Sequence, residues 1–255
     1  MPVSMSALAD DLAAESAVLR ALLVPLDEAG WRRPTPAAGW SVLDQVTHLA
    51  WFDEAAVRSA TTPEAFAGEQ ANPDPDGIAA AHRDRSGAQV LAWFDHARSR
   101  LLTVFRALDP SLRVPWYGPP MSAASALTAR IMETWAHGQD VADTLGVRRE
   151  PTARLRHVAH IGIGARAYSY VVNGRDAPTT PVRVELAAPD GGTWTWGPDD
   201  APDRVAGPAL DFCLVVTQRR HLADSALRVS GPVATEWMSF AQAYAGPAGP
   251  GRAAS

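Results

Sequence analysis

The sequence predicts a mainly α protein: an N-terminal four-helix bundle over residues 1–150, a smaller α+β domain over 151–245, and a disordered tail over 246–255. Three observations carry this prediction. Four amphipathic segments at helical spacing fall within the first 146 residues, which is what a bundle requires. Past Asn173-Gly174 the apolar pattern changes from the helical period to strict alternation. The closing stretch "PAGPGRAAS" holds only small, turn-forming and polar residues, apart from one arginine.

The first helix covers 5–24, with Leu8, Leu12, Leu19, Leu22 and Leu23 on one face and Ser4 or Ser6 as its cap. "GWRRPTPAAGW" breaks the pattern. The second opens at Ser41, with Asp44 three residues on in capping-box fashion, and runs to about Ala60. Leu43, Val46, Ala50 and Val57 form its buried stripe. "TTPEAFAGEQANPDPDG" reads as a long exposed connection. A third helical region covers 78–108, bent near Gly87, and stops at Asp109-Pro110. "VPWYGPPMS" is a stiff loop; Ser122 then caps a fourth helix that closes at Gly146, a natural left-handed stop.

A fifth helix begins beyond Thr152 and reaches Asn173-Gly174. "VRVELAAP", "DGG" and "TWTWG" make a hairpin. "GPALDFCLVVTQRRHL" reads as a helix, "ALRVSG" as a short extended piece, and "ATEWMSFAQAYAG" as a closing helix.

Composition narrows the function. The chain has 255 residues and a net charge of −5, with no basic block, so no nucleic-acid partner is expected. All 23 basic residues are arginine, which excludes Schiff-base chemistry and a P-loop lysine. The single cysteine, Cys213, lies in "DFCLVVT" and reads as a buried small hydrophobe. The N-terminal stretch lacks a basic region followed by an apolar one, and no run approaches the roughly 20 apolar residues of a membrane span. These features predict a cytoplasmic protein; a small-molecule substrate and a monomer or homodimer are the expected partner and assembly, which composition does not decide. No G-x-S-x-G, G-x-G-x-x-G, P-loop or cysteine-based zinc pattern occurs.

The histidines carry the chemistry. "WSVLDQVTHLAW" sets His48 among core-facing residues of the second helix. "METWAHGQD" places Glu133 and His137 one turn apart on the fourth, so both point from one face. Two histidines and a carboxylate are a standard zinc set that keeps one position open. The same spacing also fits a plain solvated contact between neighbours on a helix, and a lone core histidine needs no metal. Asp44 and Asp140, each one turn from a histidine, are candidates to hold a ligand imidazole. His82 and His96 read as surface residues. Among the tryptophans, Trp51 shares the face of His48 and is the better pocket candidate; Trp40 and Trp135 read as packing. Trp116 and Tyr117 are lid candidates.

"AAGWSVLDQVTHLAWFDEAA" and "ETWAHGQDVADTLG" resemble the two signatures of the DinB-like bundle, in its actinobacterial branch of mycothiol-dependent maleylpyruvate isomerase-like proteins. "ALDFCLVVTQRRHL…LRVSG" resembles that branch's smaller domain. The resemblance implies a divalent ion, zinc above all, held by His48, Glu133 and His137, with mycothiol as co-substrate; Trp51 and Asp140, placed by their helix spacing, are the candidates to line its site. It also implies an arginine offered to an acidic substrate. Arg219 takes that position, with Arg220 beside it, while Gln218 stands where the family carries glycine. Such a site suits thiol activation, because a cation stabilises thiolate far more than thiol. The expected activity is thiol transfer to, or isomerisation of, a small electrophile. A metal-dependent hydrolase or lyase, or a non-catalytic binding protein, is the alternative.

Overall fold

The structure is a computed structural model, which describes residues 4–68, 73–249 and 251–254. The chain divides into two compact units, Met1–Arg149 and Glu150–Ser255. No helix among the described residues is long and apolar enough to cross a membrane.

In the first unit the elements run α1 (Met5–Leu23), α2 (Glu28–Trp31), α3 (Val42–Thr61), α4 (Pro63–Ala67), α5 (Pro75–Ala80), α6 (Gly87–Arg106), β1 (Arg113–Val114), β2 (Met121–Ser122) and α7 (Ala123–Leu145). The long helices α1, α3, α6 and α7 form the four-helix bundle; α1 and α3 each pack on both α6 and α7. Ser4 caps α1 and Ser122 caps α7, which ends at Gly146 in the left-handed region (φ 69°).

Two apolar clusters fill the bundle. One gathers Leu8, Leu12, Val57, Leu101, Phe105, Leu127 and Ile131; the other gathers Leu19, Leu23, Leu43, Val46, Leu49, Phe94 and Val141. Each fully buried side chain of this size contributes about 1.5–3 kcal/mol. Along every one of the four long helices, a polar residue stands between the members of the two clusters: Ser16, Asp53, Arg98 and Thr134.

Two expectations for this unit need correction. The region 78–108 is not one bent helix. It is α5, a turn, and α6, whose Ser86 forms a capping box with Gln89. The start of α6 passes directly against the Trp31 indole, where a Cβ on Gly87 would lie 2.2 Å from the ring, so that position requires glycine. The connection after α3 is not wholly exposed either, since α4 buries Phe66. Residues 69–72 of it lie outside the described residues.

The second unit runs α8 (Leu155–Gly164), α9 (Arg166–Val172), β3 (Val182–Ala187), β4 (Thr193–Trp196), β5 (Asp203–Pro208), α10 (Ala209–Val216), β6 (Arg228–Ser230) and α11 (Pro232–Phe240). The sheet order is β4-β3-β5-β6, antiparallel except for the β3–β5 pair. The hairpin β3–β4 is where the alternation predicts it. The expected fifth helix is two, α8 and α9, broken at Ala165. Strand β5 is not signalled by the sequence pattern, and with β3 it forms the centre of the sheet. Helix α10 packs on α8, β3 and β5, burying Phe212, Cys213 and Val216.

Candidate metal centre

The first ligand is placed by a helix start. The Ser41 hydroxyl accepts from the Asp44 amide, and the Ser41 amide donates to Asp44 Oδ2 at 2.8 Å, closing a capping box. The other carboxylate oxygen accepts from Arg83 Nε at 2.9 Å. Asp44 therefore fastens the start of α3, where the sequence left it as a candidate support for His48. Arg83 also donates to the Gly39 carbonyl at 2.8 Å, so the turn before α3 is held from two sides.

His48 on α3 and Glu133 and His137 on α7 converge, with one ligand atom from each lying within 4.8 Å of the others. Glu133 Oε2 is 3.2 Å from His137 Nε2 and 3.5 Å from His48 Nε2. Tetrahedral zinc with bonds of 2.0–2.2 Å sets its ligand atoms about 3.3–3.5 Å apart. The two separations fit a first coordination shell, and equally hydrogen bonds from protonated imidazoles when no ion is bound.

The protonation pattern agrees. His137 Nδ1 donates to Gln45 Oε1, and Gln45 Nε2 donates to Thr35 Oγ1 at 2.9 Å. Thr35 in turn donates to the Trp40 carbonyl at 2.9 Å. With Nδ1 protonated, a neutral His137 aims the lone pair of Nε2 at a carboxylate. Two acceptors face each other there, and only a proton or a cation between them relieves the repulsion. Burial, the largest influence on Glu133, pushes its carboxyl up. Without an ion, it is protonated His137 and His48, donating to the carboxylate and carrying positive charge, that outweigh burial and hold it well below the usual carboxylate range. Glu133 is thus an anion with a buried backing and 21% side-chain exposure, against 13% for His48 and 11% for His137. The donor set, the spacing and the residual exposure fit a divalent ion with room for one further ligand.

Aromatic rings enclose the histidines. The Trp40 indole stacks on His137 at 5.9 Å and 17°, and lies 5.5 Å from His48. Its Nε1 donates to Asp76 Oδ1 at 2.7 Å. Phe52, one turn along α3, sits 4.5 Å from His48 on centroids. Trp51, the expected pocket residue, is a step further out, 4.9 Å from Phe52 and stacked at 6.3 Å on Tyr117. Trp116 and Tyr117 pack against Phe52 and Phe66. The ring against both imidazoles is therefore Trp40, assigned to packing from the sequence, whereas Trp135 is indeed buried. His82, expected at the surface, stacks half-buried on Trp93 at 4.9 Å.

The remaining predicted residues lie as follows. Asp140 is buried on α7. In the second unit, Arg219 is half-buried and donates from Nη1 to the Thr217 carbonyl at 2.7 Å, and Arg220 is exposed. Gln218, in the family's glycine position, has φ 59°. Cys213 is fully buried and bonds the Leu155 carbonyl; burial pushes its thiol far up. It is not a nucleophile. Gln45 and Trp40 are the site residues that sequence reasoning missed. Gln45 lies one turn before His48 on α3, and its amide oxygen can accept from an imidazole N–H as a carboxylate would.

Residues 12–142, more than half of the chain, match the model of the mycothiol maleylpyruvate isomerase N-terminal domain. The chain belongs to that family. Residues 178–229 match a second model, described as wyosine base formation, which spans most of the sheet of the second unit. Among curated proteins, two uncharacterised proteins of Mycobacterium tuberculosis, from strains CDC 1551 / Oshkosh and ATCC 25618 / H37Rv, are each 46% identical over 248 residues. That alignment takes in 95% of this chain and 96% of theirs. Two solved structures share the fold of this mycothiol maleylpyruvate isomerase family member at 16% identity. One is the mycothiol-dependent maleylpyruvate isomerase, with TM-score 0.62 over 89% of this chain and 93% of that one. The other is a histidine-to-alanine mutant of it, with TM-score 0.60 over 85% and 90%.

Proposed function

We propose that this protein is a divalent-metal-dependent enzyme that activates mycothiol for transfer to, or isomerisation of, a small electrophilic substrate, with zinc as the ion. The observation that carries the reading is the convergence of His48, Glu133 and His137 at separations suited to a tetrahedral ion. When bound, the ion supplies a positive charge that makes a thiol acidic at neutral pH.

The chain's own groups do the rest. His48 and His137 offer Nε2 and Glu133 offers Oε2, while Gln45 keeps the His137 proton on Nδ1. Trp40 stacks on His137, and Phe52 packs at a tilt against His48. The inert Cys213 leaves the thiol to come from outside. Trp51 and Asp140 belong in this reading to the thiol's surroundings, and Arg219 and Arg220 to an acidic substrate group.

Elemental analysis of the purified protein, paired with calorimetry of mycothiol binding, tests the proposal. One ion per chain and thiol binding that vanishes on chelation are expected. His48→Ala should abolish both the ion and turnover; a fully loaded His48→Ala protein sinks the site. Turnover that proceeds equally without thiol sinks the thiol role. Arg219→Ala and Arg220→Ala should raise KM for an acidic substrate more than they lower kcat.

A further inference from the structure

The polar layer that divides the bundle core is unexplained by the metal reading and has its own geometry. Asp53 is fully buried, and Arg98 and Arg130 are 4% exposed. Arg98 Nε reaches Asp53 Oδ2 at 2.6 Å and Arg130 Nε reaches Oδ1 at 2.9 Å. Arg98 also donates to Ser16 Oγ and, at 3.0 Å, to Thr134 Oγ1. Arg130 donates a further bond to the Leu49 carbonyl at 3.2 Å. One carboxylate and two guanidiniums thereby join α1, α3, α6 and α7 in a single layer.

A buried layer of this kind is weak evidence for stability. Two cations on one carboxylate are an expensive arrangement in a core, and well-packed apolar side chains commonly serve stability as well or better. What such a layer offers over apolar packing is direction. Its bonds hold only in one register, whereas apolar faces tolerate a slide along the helix axis. A slip of one residue is about 1.5 Å, and a coordination shell tolerates about 0.2 Å.

The layer's contacts fall beside the ligands. Leu49, whose carbonyl Arg130 binds, follows His48 in the chain; Thr134, which Arg98 binds, follows Glu133. Arg130 itself is one turn before Glu133 on α7. The direct bonds from α7 to α3 both come from Arg130, to Asp53 and to the Leu49 carbonyl beside His48, while Arg98 on α6 links Asp53 on α3 to Thr134, beside Glu133, on α7.

We infer that Arg98, Asp53 and Arg130 are positioning residues that set the register of α3 against α7 and so hold His48 at coordinating distance from Glu133 and His137. This rests on the metal reading above. The buried layer makes the site preformed: the ligands are gathered by the fold, and the ion does not have to gather them.

Cobalt(II) loading of the full chain tests this, because the visible bands of cobalt report its coordination geometry without turnover. The informative variant replaces the whole layer by apolar side chains: Asp53→Leu, Arg98→Met and Arg130→Met together. It should melt at or above the wild-type temperature, yet bind cobalt at least tenfold more weakly and lose the intense tetrahedral bands. Arg130→Lys keeps the charge and gives up the two-point hold on Asp53 and Leu49; it should show a smaller loss in the same direction. Wild-type cobalt affinity and spectrum in the apolar variant overturn the inference. If that variant does not fold, Arg130→Lys decides alone, and an unaltered affinity and spectrum there overturn it equally. A wild-type chain that binds no cobalt removes the metal reading and this inference with it, an outcome distinct from wild-type binding that the variants leave unchanged.

Discussion

His137 Nδ1 donates its proton to Gln45 Oε1, across 92 residues of sequence, and so fixes which imidazole nitrogen faces Glu133. Gln45 is itself oriented, because Thr35 Oγ1 accepts from its amide nitrogen and leaves only the amide oxygen for the imidazole. Removing such a partner of a metal-binding histidine costs about 10–100-fold in affinity. Gln45→Leu should therefore weaken zinc binding by about that factor, while Gln45→Glu, which still offers an acceptor oxygen, should retain most of it. Competition titration against a chromophoric chelator measures both. Equal affinities for the two variants would deny Gln45 this role.

Trp40 should report the ion optically. Its indole lies flat on the His137 ring and is fixed there by the bond from Nε1 to Asp76. Loading the site replaces a proton or a repulsive contact beside that ring with a doubly charged cation, which alters the field on the indole. Adding zinc to metal-free protein should change the tryptophan emission, and Trp40→Phe should remove most of that change while binding persists. A zinc response that survives in Trp40→Phe would assign the signal to another of the nine tryptophans.

The Cys213 thiol gives a pH-dependent prediction with a definite sign. Burial holds it neutral in the folded chain, whereas an unfolded cysteine ionises above about pH 8.5. Below that pH both states carry the proton and stability is unaffected. Above it the unfolded chain releases a proton that the folded chain keeps, so stability falls as pH rises. One pH unit beyond the unfolded value, the loss approaches about 1.4 kcal/mol. Denaturant curves at pH 7 and 9.5 should show this decline in the wild type and a flatter profile in Cys213→Ala. In the native state Cys213 should also resist alkylation at pH 8 until the protein is unfolded.

What the sequence made legible was local chemistry. The capping box at Ser41 and Asp44, the stop at Gly146 and the β3–β4 hairpin are decided by neighbours in the chain, and all three are where the pattern predicts them. The Glu133–His137 pair is legible for the same reason, since one helical turn fixes its common face. The missed features are tertiary. Strand β5 pairs in parallel with β3, so no tight turn announces it, and its Gly207 and Pro208 disguise the alternation. Gly87 opens α6 against Trp31, 56 positions earlier, a close approach that the local pattern cannot show. Trp40 reaches the histidines from a turn rather than a helix, which spacing along α3 cannot reveal.

Gln218 supplies the last prediction. It is the only non-glycine residue at positive φ among the described residues, just past α10, where the family resemblance has glycine. The left-handed backbone costs a side-chain-bearing residue about 1–2 kcal/mol. Two bonds offset this: Tyr244 Oη donates to Gln218 Oε1 at 2.5 Å, and Gln218 Nε2 donates to the Ala241 carbonyl at 3.3 Å. Each such bond contributes about 1 kcal/mol, so the amide compensates for the Cβ. Gln218→Ala keeps the strain and loses the bonds, and should cost about 1–2 kcal/mol. Gln218→Gly loses the bonds and relieves the strain; set against the greater freedom of glycine in the unfolded chain, it should be the more stable of the two by about 0.5–1 kcal/mol. Thermal or denaturant melts of the pair measure the difference directly. An alanine variant as stable as the glycine one would mean that the backbone at 218 is not strained, and that the glutamine is there for its contacts to Tyr244 and Ala241 alone.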